Sequence, residues 1–317
     1  MGVPSSFEFS LKVDSSLKTT HLVSRILSNR LGIMASRYQS FPRFVPKGLL
    51  PILLNPTLDV SIDRVKFKIF DPTYCHHKWV YSEGGYEYPV TKHILANISK
   101  GDVFVDVGAF YGYYTLFVAK ALAGSGKVYS FEPNREYYDI VDRNLKLNNV
   151  NHGVDLHNIA LSDRRETVTM ESSWLDQSAM YKWRGPLKRK MRVVDGESIV
   201  GESKVDTISF DEFSDKNDVS PNFVKIDVDG AEGKVLEGMK RTLKKVTHLY
   251  CEVHAPQVGI IGGHTVESVA KILLDSGMKA YEFKNYRRKD GEIGERGELE
   301  ELYNRKISAS IMIYATR

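Results

Sequence analysis

From about residue 87 onward, apolar runs of strand length alternate with segments whose apolar positions recur at helical spacing. The runs near 103–107, 127–131, 154–160, 223–228 and 248–254 are read as strands. Segments 88–98, 113–122, 136–147, 231–244 and 266–276 carry the helical period. Alternating strands and helices predict a mostly parallel sheet with right-handed crossovers and helices on both faces. A last pair, 279–285 and 307–315, is joined by a charged connection from Tyr286 to Arg305 and predicts a closing antiparallel hairpin.

Two regions depart from this rhythm. Residues 1–86 are set apart as an N-terminal extension, and 87–317 as the main domain. Within the extension, Leu22, Ile26, Leu27 and Leu31 fall on one helical face, with Arg25 and Arg30 between them. Residues 20–54 are either a cap on the main domain or a basic amphipathic surface for a membrane or partner. Val60–Ile62 and Val65–Phe70 alternate as in a half-buried strand or hairpin. The second departure, Glu171 to Lys204, holds Trp174, Met180, Tyr181 and Trp183 and then Lys188-Arg189-Lys190-Met191-Arg192. So long an aromatic and basic segment is read as a lid over the open end of the sheet, against the alternative of a variable surface loop.

At 317 residues the chain can bury a full core, and its 42% hydrophobic and 26% charged content is that of a soluble globular protein. The net charge of +4 allows an acidic partner without demanding one. Cys75 and Cys251, two isolated thiols, make neither a disulfide framework nor a metal cluster and suit a reducing, cytoplasmic setting. His76 and His77 point to opposite sides of an extended chain, which argues against a joint metal site. No apolar run approaches the length of a membrane-spanning helix, and the N-terminus lacks a signal-peptide layout.

The chemistry begins at the end of the first main strand. Asp106-Val107-Gly108-Ala109-Phe110-Tyr111-Gly112 is an acid, a glycine turn and the start of a helix at Tyr113. Glycine lets the chain turn sharply and lets a ligand touch bare backbone. The dinucleotide fingerprint would place a glycine where Phe110 stands, and Asp106 would repel a pyrophosphate. An acid there suits a ligand bearing ammonium or sulfonium, as S-adenosylmethionine does. Glu132 lies 20 residues beyond Gly112 and ends the next strand, where a carboxylate can accept from both hydroxyls of a ribose. Ala160-Leu161-Ser162-Asp163 ends the third strand. There Ala160 and Leu161 can sandwich an adenine, and Asp163 can accept from its exocyclic amine. Singly, each piece is a common turn or solvated strand end. In order at three strand ends, they describe one adenosyl site.

These motifs, together with Phe131-Glu132-Pro133-Asn134 and Lys225-Ile226-Asp227-Val228-Asp229-Gly230-Ala231-Glu232, resemble the FkbM family of methyltransferases from about Glu87 to the C-terminus. The resemblance implies the class I, Rossmann-like fold with a seven-stranded, mostly parallel sheet, S-adenosylmethionine as cofactor, and a sugar or small-metabolite hydroxyl as acceptor. Family members often carry Asn at the position of Phe110 and Glu at that of Asp229.

The residues expected to bind cofactor are Asp106, Gly108, Gly112, Tyr113, Glu132, Ser162, Asp163 and Asp227. Asp227 and His254 are the catalytic candidates, His254 because an unperturbed imidazole titrates near neutrality and can act as a base. Lys225, Glu232, Trp183 and Arg189 are expected to face the acceptor. Asp227, Asp229, Glu232, Glu252 and His254 include hard oxygen ligands suited to magnesium or manganese. Acids at strand ends also cap helices and pair with lysines such as Lys225, and the set is read without a metal. RNA is a rival acceptor, through Lys188 to Arg192 and the basic N-terminus, though no RNA-binding module is recognisable.

Overall fold

In the computed structural model the described residues are 57–70, 86–173, 182–184, 200–255, 257–295 and 310–317. Residues Thr57–Arg317 form one compact unit. The Cys75-His76-His77 segment, residues 20–54 and the basic run with Arg189 lie outside the described residues.

A hairpin of β1 (Thr57–Ile62) and β2 (Val65–Phe70) precedes α1 (Tyr88–Asn97). The main alternation then follows: β3 (Val103–Val107), α2 (Tyr113–Leu122), β4 (Lys127–Phe131), α3 (Arg135–Leu147) and β5 (Val154–His157). Next come the short β6 (Ala160–Leu161), β7 (Glu166–Ser173), β8 (Lys182–Arg184), β9 (Val200–Ile208) and α4 (Phe210–Asn217). The chain continues through β10 (Phe223–Ile226), α5 (Glu232–Glu237), β11 (His248–Val253), α6 (Gln257–Ile261), α7 (Val266–Asp275), β12 (Lys279–Lys284), β13 (Glu292–Ile293) and β14 (Ile311–Thr316).

Among the described residues the main sheet has the order β13-β12-β14-β11-β10-β3-β4-β5. Strands β5, β4, β3, β10 and β11 are parallel, and β14 enters antiparallel between β11 and β12. The two-residue β13 adds an eighth strand to the seven expected. All four residues of β10 are buried, as a central parallel strand requires. The order reverses between β3 and β10, the switch point where open α/β sheets bind ligands.

The hairpin packs into the same core as the main domain. Leu58, Val60, Ile62, Val65, Phe67 and Ile69 alternate inward and share a cluster with residues of α1 and α2. Side chains on α3 complete its outer edge. Asn144 accepts from Phe70 N at 2.6 Å and donates to Phe70 O at 3.1 Å, while Asn148 accepts from Lys68 N at 2.7 Å. Two asparagines one helical turn apart thus stand in for a neighbouring strand. Asn144 also donates to Tyr111 O at 2.9 Å, which ties the hairpin to the glycine loop.

Two expected elements are interrupted. The third strand breaks after His157, and Ala160–Leu161 pairs in parallel with β9 in a second sheet of order β6-β9-β7-β8. The segment expected to be a lid is therefore partly strand, since β7 runs antiparallel to both β8 and β9. The helix expected over 231–244 stops at Gly238, which a Cβ could not replace: it would lie 1.9 Å from Ser162 O.

Candidate active site

The first half of the site is the crevice at the ends of β3, β4 and β6. Gly108, Pro133, Ile159, Leu161, Ser162 and Val228 line it. Gly108 sits at φ +86°, and both Gly108 N and Ala109 N donate to Phe131 O, at 3.0 and 3.1 Å. The loop is thereby pinned across two strand ends. Gly112, at φ +83°, occupies the N-cap position of α2, leaving that helix's first N–H groups toward the loop.

Glu132 is enclosed between loop and sheet. One carboxylate oxygen accepts from Phe110 N at 2.8 Å and the other from Asn134 N at 2.8 Å. Burial lifts its carboxyl to about 8, against those two hydrogen bonds. In the ionised form each oxygen retains a lone pair, so the group can accept from a diol once its proton leaves. Ser162 is buried at the crevice wall and donates to Asp163 at 3.0 Å, and Asp163 also pairs with Arg164 at 2.9 Å. Asp106 lies beneath the loop, where it accepts from the Thr115 hydroxyl at 2.5 Å. Burial lifts it to about 6 despite that bond. It ties β3 to α2 under the crevice.

Tyr113 is placed elsewhere. Its ring packs edge-on to Phe67 and Tyr86 at 5.6 and 5.3 Å, buried in the hairpin core. The sequence pattern put it in the cofactor site because it opens the helix. The hairpin, which covers that face of α2, takes it instead.

The second half lies at the ends of β10 and β11. His254 Nδ1 is 2.9 Å from Glu232 Oε1. Its Nε2 faces three carboxylates, with Asp229 Oδ1 at 3.4 Å and Asp227 Oδ1 and Glu252 Oε1 at 3.6 Å each. Burial alone would lower the imidazole. The Glu232 hydrogen bond, with Asp227 and Glu252 beside it, pushes it up to about 10 instead. The surrounding carboxylates thus favour the imidazolium over the free base, which works against His254 as a general base. Burial, with Asp227 and Glu232 nearby, lifts Asp229 to about 6.

Lys225 and Glu232, expected at the acceptor, are fully enclosed. Lys225 Nζ is 3.2 Å from Asp227 Oδ2 and lies over the Tyr114 ring at 5.1 Å. Burial works against its charge, but Asp227, Glu87 and Glu252 outweigh it and hold it above the ordinary lysine value. Burial works against the charge of Asp227 too, but Lys225, His254 and Arg287 together outweigh it and keep that carboxylate below its ordinary value. These two residues position Asp227 and His254; they do not reach an acceptor. Trp183 is a strand residue of β8, opposite Met170.

The sequence pattern marks neither Tyr286 nor Arg287 for a role, and Glu252 is marked only as one of the hard oxygen ligands. Tyr286 OH donates to Glu252 Oε1 at 2.8 Å, and Arg287 pairs with the same oxygen. Both follow β12, in the connection expected to be a plain charged loop, and only their order Tyr-Arg after a strand end hints at a site. Glu87, at φ +46° before α1, accepts from Tyr114 OH at 2.5 Å and joins the same buried network.

A parallel sheet with an antiparallel strand inserted near one edge, a glycine loop at the switch point, and acids ending successive strands define a class I S-adenosylmethionine-dependent methyltransferase. Residues 106–284 match the family described as "Methyltransferase FkbM domain", and the chain belongs to the FkbM methyltransferase family. Hexuronic acid methyltransferase AglP of Haloferax volcanii is 27% identical over 211 residues, which cover 66% of this chain and 77% of that protein. Methyltransferase sdnD of Sordaria araneosa is 26% identical over 165 residues, 46% of this chain and 63% of that one. A crystal structure of methyltransferase FkbM from Methylobacillus flagellatus gives a TM-score of 0.41 at 17% identity, over 69% of this chain and 44% of that chain. The enzyme uses S-adenosylmethionine. Among the described residues, no helix is long and apolar enough to cross a membrane.

Proposed function

We propose that the enzyme transfers the methyl group of S-adenosylmethionine to a hydroxyl of a sugar or small metabolite. The carrying observation is the cage at the ends of β10 and β11, where Asp227, Asp229 and Glu252 crowd His254 Nε2 within 3.4–3.6 Å. It stands across the switch point from the adenosyl crevice, so acceptor and sulfonium meet over the strand ends.

A hydroxyl must lose its proton as it attacks, and a carboxylate acceptor would not need to. Asp229 is the more exposed carboxylate, at 32% against 25% for Asp227, and it takes the proton. The acceptor oxygen then bonds to the methyl carbon while the C–S bond breaks and its electron pair returns to sulfur. Asp227, fixed by Lys225, carries negative charge opposite the sulfonium and orients the hydroxyl. Most of the acceleration comes from that alignment. The sugar class is supported by the relative named as a hexuronic acid methyltransferase.

The test is transfer of labelled methyl from S-adenosylmethionine into fractionated glycans and metabolites, followed by mild alkali. Methyl ethers keep the label and methyl esters release it. Alkali-stable label supports the hydroxyl reading; alkali-labile label overturns it.

A further inference from the structure

The separations around His254 Nε2 are too long for hydrogen bonds, and three oxygens share them almost equally. An imidazolium N–H free to choose would close on one carboxylate. A cation between them would draw the nitrogen and neighbouring carboxylate oxygens in to a common centre. One ligand atom each from Asp227, Glu252 and His254 lies within 4.8 Å of the others.

Each of these three side chains is held by one atom and leaves another for a ligand, the histidine once an entering cation has displaced the Nε2 proton. Asp227 gives Oδ2 to Lys225, His254 gives Nδ1 to Glu232, and Glu252 gives Oε1 to Tyr286 and Arg287. Glu252 is fully buried, yet its Oε2 has no hydrogen-bond partner among the described residues. An orphan carboxylate oxygen at that depth is costly unless something positive meets it. The outer partners are what metal ligands ordinarily have: a carboxylate on the far nitrogen of the histidine, and hydrogen bonds to the spare oxygens of the acids.

We propose that Asp227, Glu252 and His254 bind a divalent cation of the magnesium or manganese class at the methyl-transfer end of the crevice. Two carboxylates and one imidazole suit manganese, and magnesium with water in the remaining positions. Two anionic ligands also balance the ion's charge without disturbing the Lys225 and Arg287 contacts. Open positions on the ion would take an acceptor oxygen and lower the pKa of its hydroxyl, with Asp229 left to receive the proton. That use of the ion rests on the hydroxyl-acceptor proposal above; the binding of the ion does not.

The experiment is a manganese titration of the chelator-treated full chain, read by the loss of free Mn²⁺ signal in electron paramagnetic resonance, with and without saturating S-adenosylhomocysteine. One site of micromolar affinity is expected, retained with S-adenosylhomocysteine and displaced by excess Mg²⁺. Asp227→Asn and His254→Gln should each weaken it at least tenfold, with circular dichroism reporting that they fold. Absence of binding by the parent chain below millimolar Mn²⁺ overturns the proposal without any variant. So does binding that survives both substitutions, or binding lost as S-adenosylhomocysteine saturates, which would give the cage to the cofactor's amine. If the ion binds as expected but the labelled methyl is alkali-labile, the site stands and the hydroxyl reading falls.

Discussion

Gly108 packs directly on the backbone of Asp227: a Cβ at Gly108 would lie 1.9 Å from the Asp227 carbonyl oxygen. The contact joins the glycine loop after β3 to the acidic segment after β10. Gly108→Ala meets both a left-handed φ and a backbone clash, so a stability loss of about 3 kcal/mol is expected, with S-adenosylhomocysteine affinity down at least tenfold. Gly124 also has positive φ, +79°, but open space where its Cβ would go. Gly124→Ala should cost only about 1 kcal/mol and leave affinity unchanged. Urea denaturation and calorimetry measure both.

Lys225 and Asp227 form a buried pair whose loss is asymmetric. Lys225→Met leaves Asp227 without its nearest counter-charge and should destabilise the enzyme by about 3 kcal/mol. Lys225→Met combined with Asp227→Leu removes both charges and should recover part of that stability while methyl transfer is lost. Urea denaturation of the two variants against the parent separates a positioning pair from a merely stabilising one.

Asn144 satisfies three backbone groups at once, on Phe70 and Tyr111. Asn144→Ala leaves them unpaired in a half-buried setting, with an expected loss of about 2–4 kcal/mol. Because one of the three belongs to the glycine loop, S-adenosylhomocysteine binding should weaken as well. Hydrogen exchange at Phe70 N, now protected, should quicken ahead of global unfolding.

Glu132 couples stability to pH. Burial raises its carboxyl from the ordinary 4.5 to about 8, so between those values the folded chain holds a proton that the unfolded chain has released. Its contribution is therefore full below about 4.5 and is lost as pH rises through about 8. Glu132→Gln mimics the protonated form at every pH. The melting temperature of the variant minus that of the parent should become more positive from pH 5 to pH 9, by several degrees. A flat difference across that range would contradict the enclosed carboxylate.

The alternation of strand and helix was legible in the sequence because the central strands, Val103–Val107 and Phe223–Ile226, are short apolar runs set between segments of helical period. The acids at the strand ends were legible because they interrupt those runs at one fixed place. The docking of the hairpin was not, since it depends on Asn144 and Asn148, two polar residues on an amphipathic helix that read as solvated. The break at His157 was hidden because Ala160-Leu161 continues the apolar pattern while changing sheets. The state of His254 was out of reach for a further reason. Its charge is set by Glu232, Asp227 and Glu252 packed around it, and spacing along the chain carries no measure of their distance. Lys225 and Glu232 were found as members of the site but given the wrong station. Alternation along a strand tells which residues share a face, and burial decides which of them a ligand can reach.

The central claim is that acids ending neighbouring strands hold the adenosyl donor, and Glu132 is its most direct probe. Calorimetry of S-adenosylhomocysteine binding to the parent chain and to Glu132→Ala tests it. Parent binding with a more than tenfold loss in the variant is the predicted result. Equal affinity in the two would contradict the ribose assignment and with it the placement of the cofactor across the ends of β3 and β4.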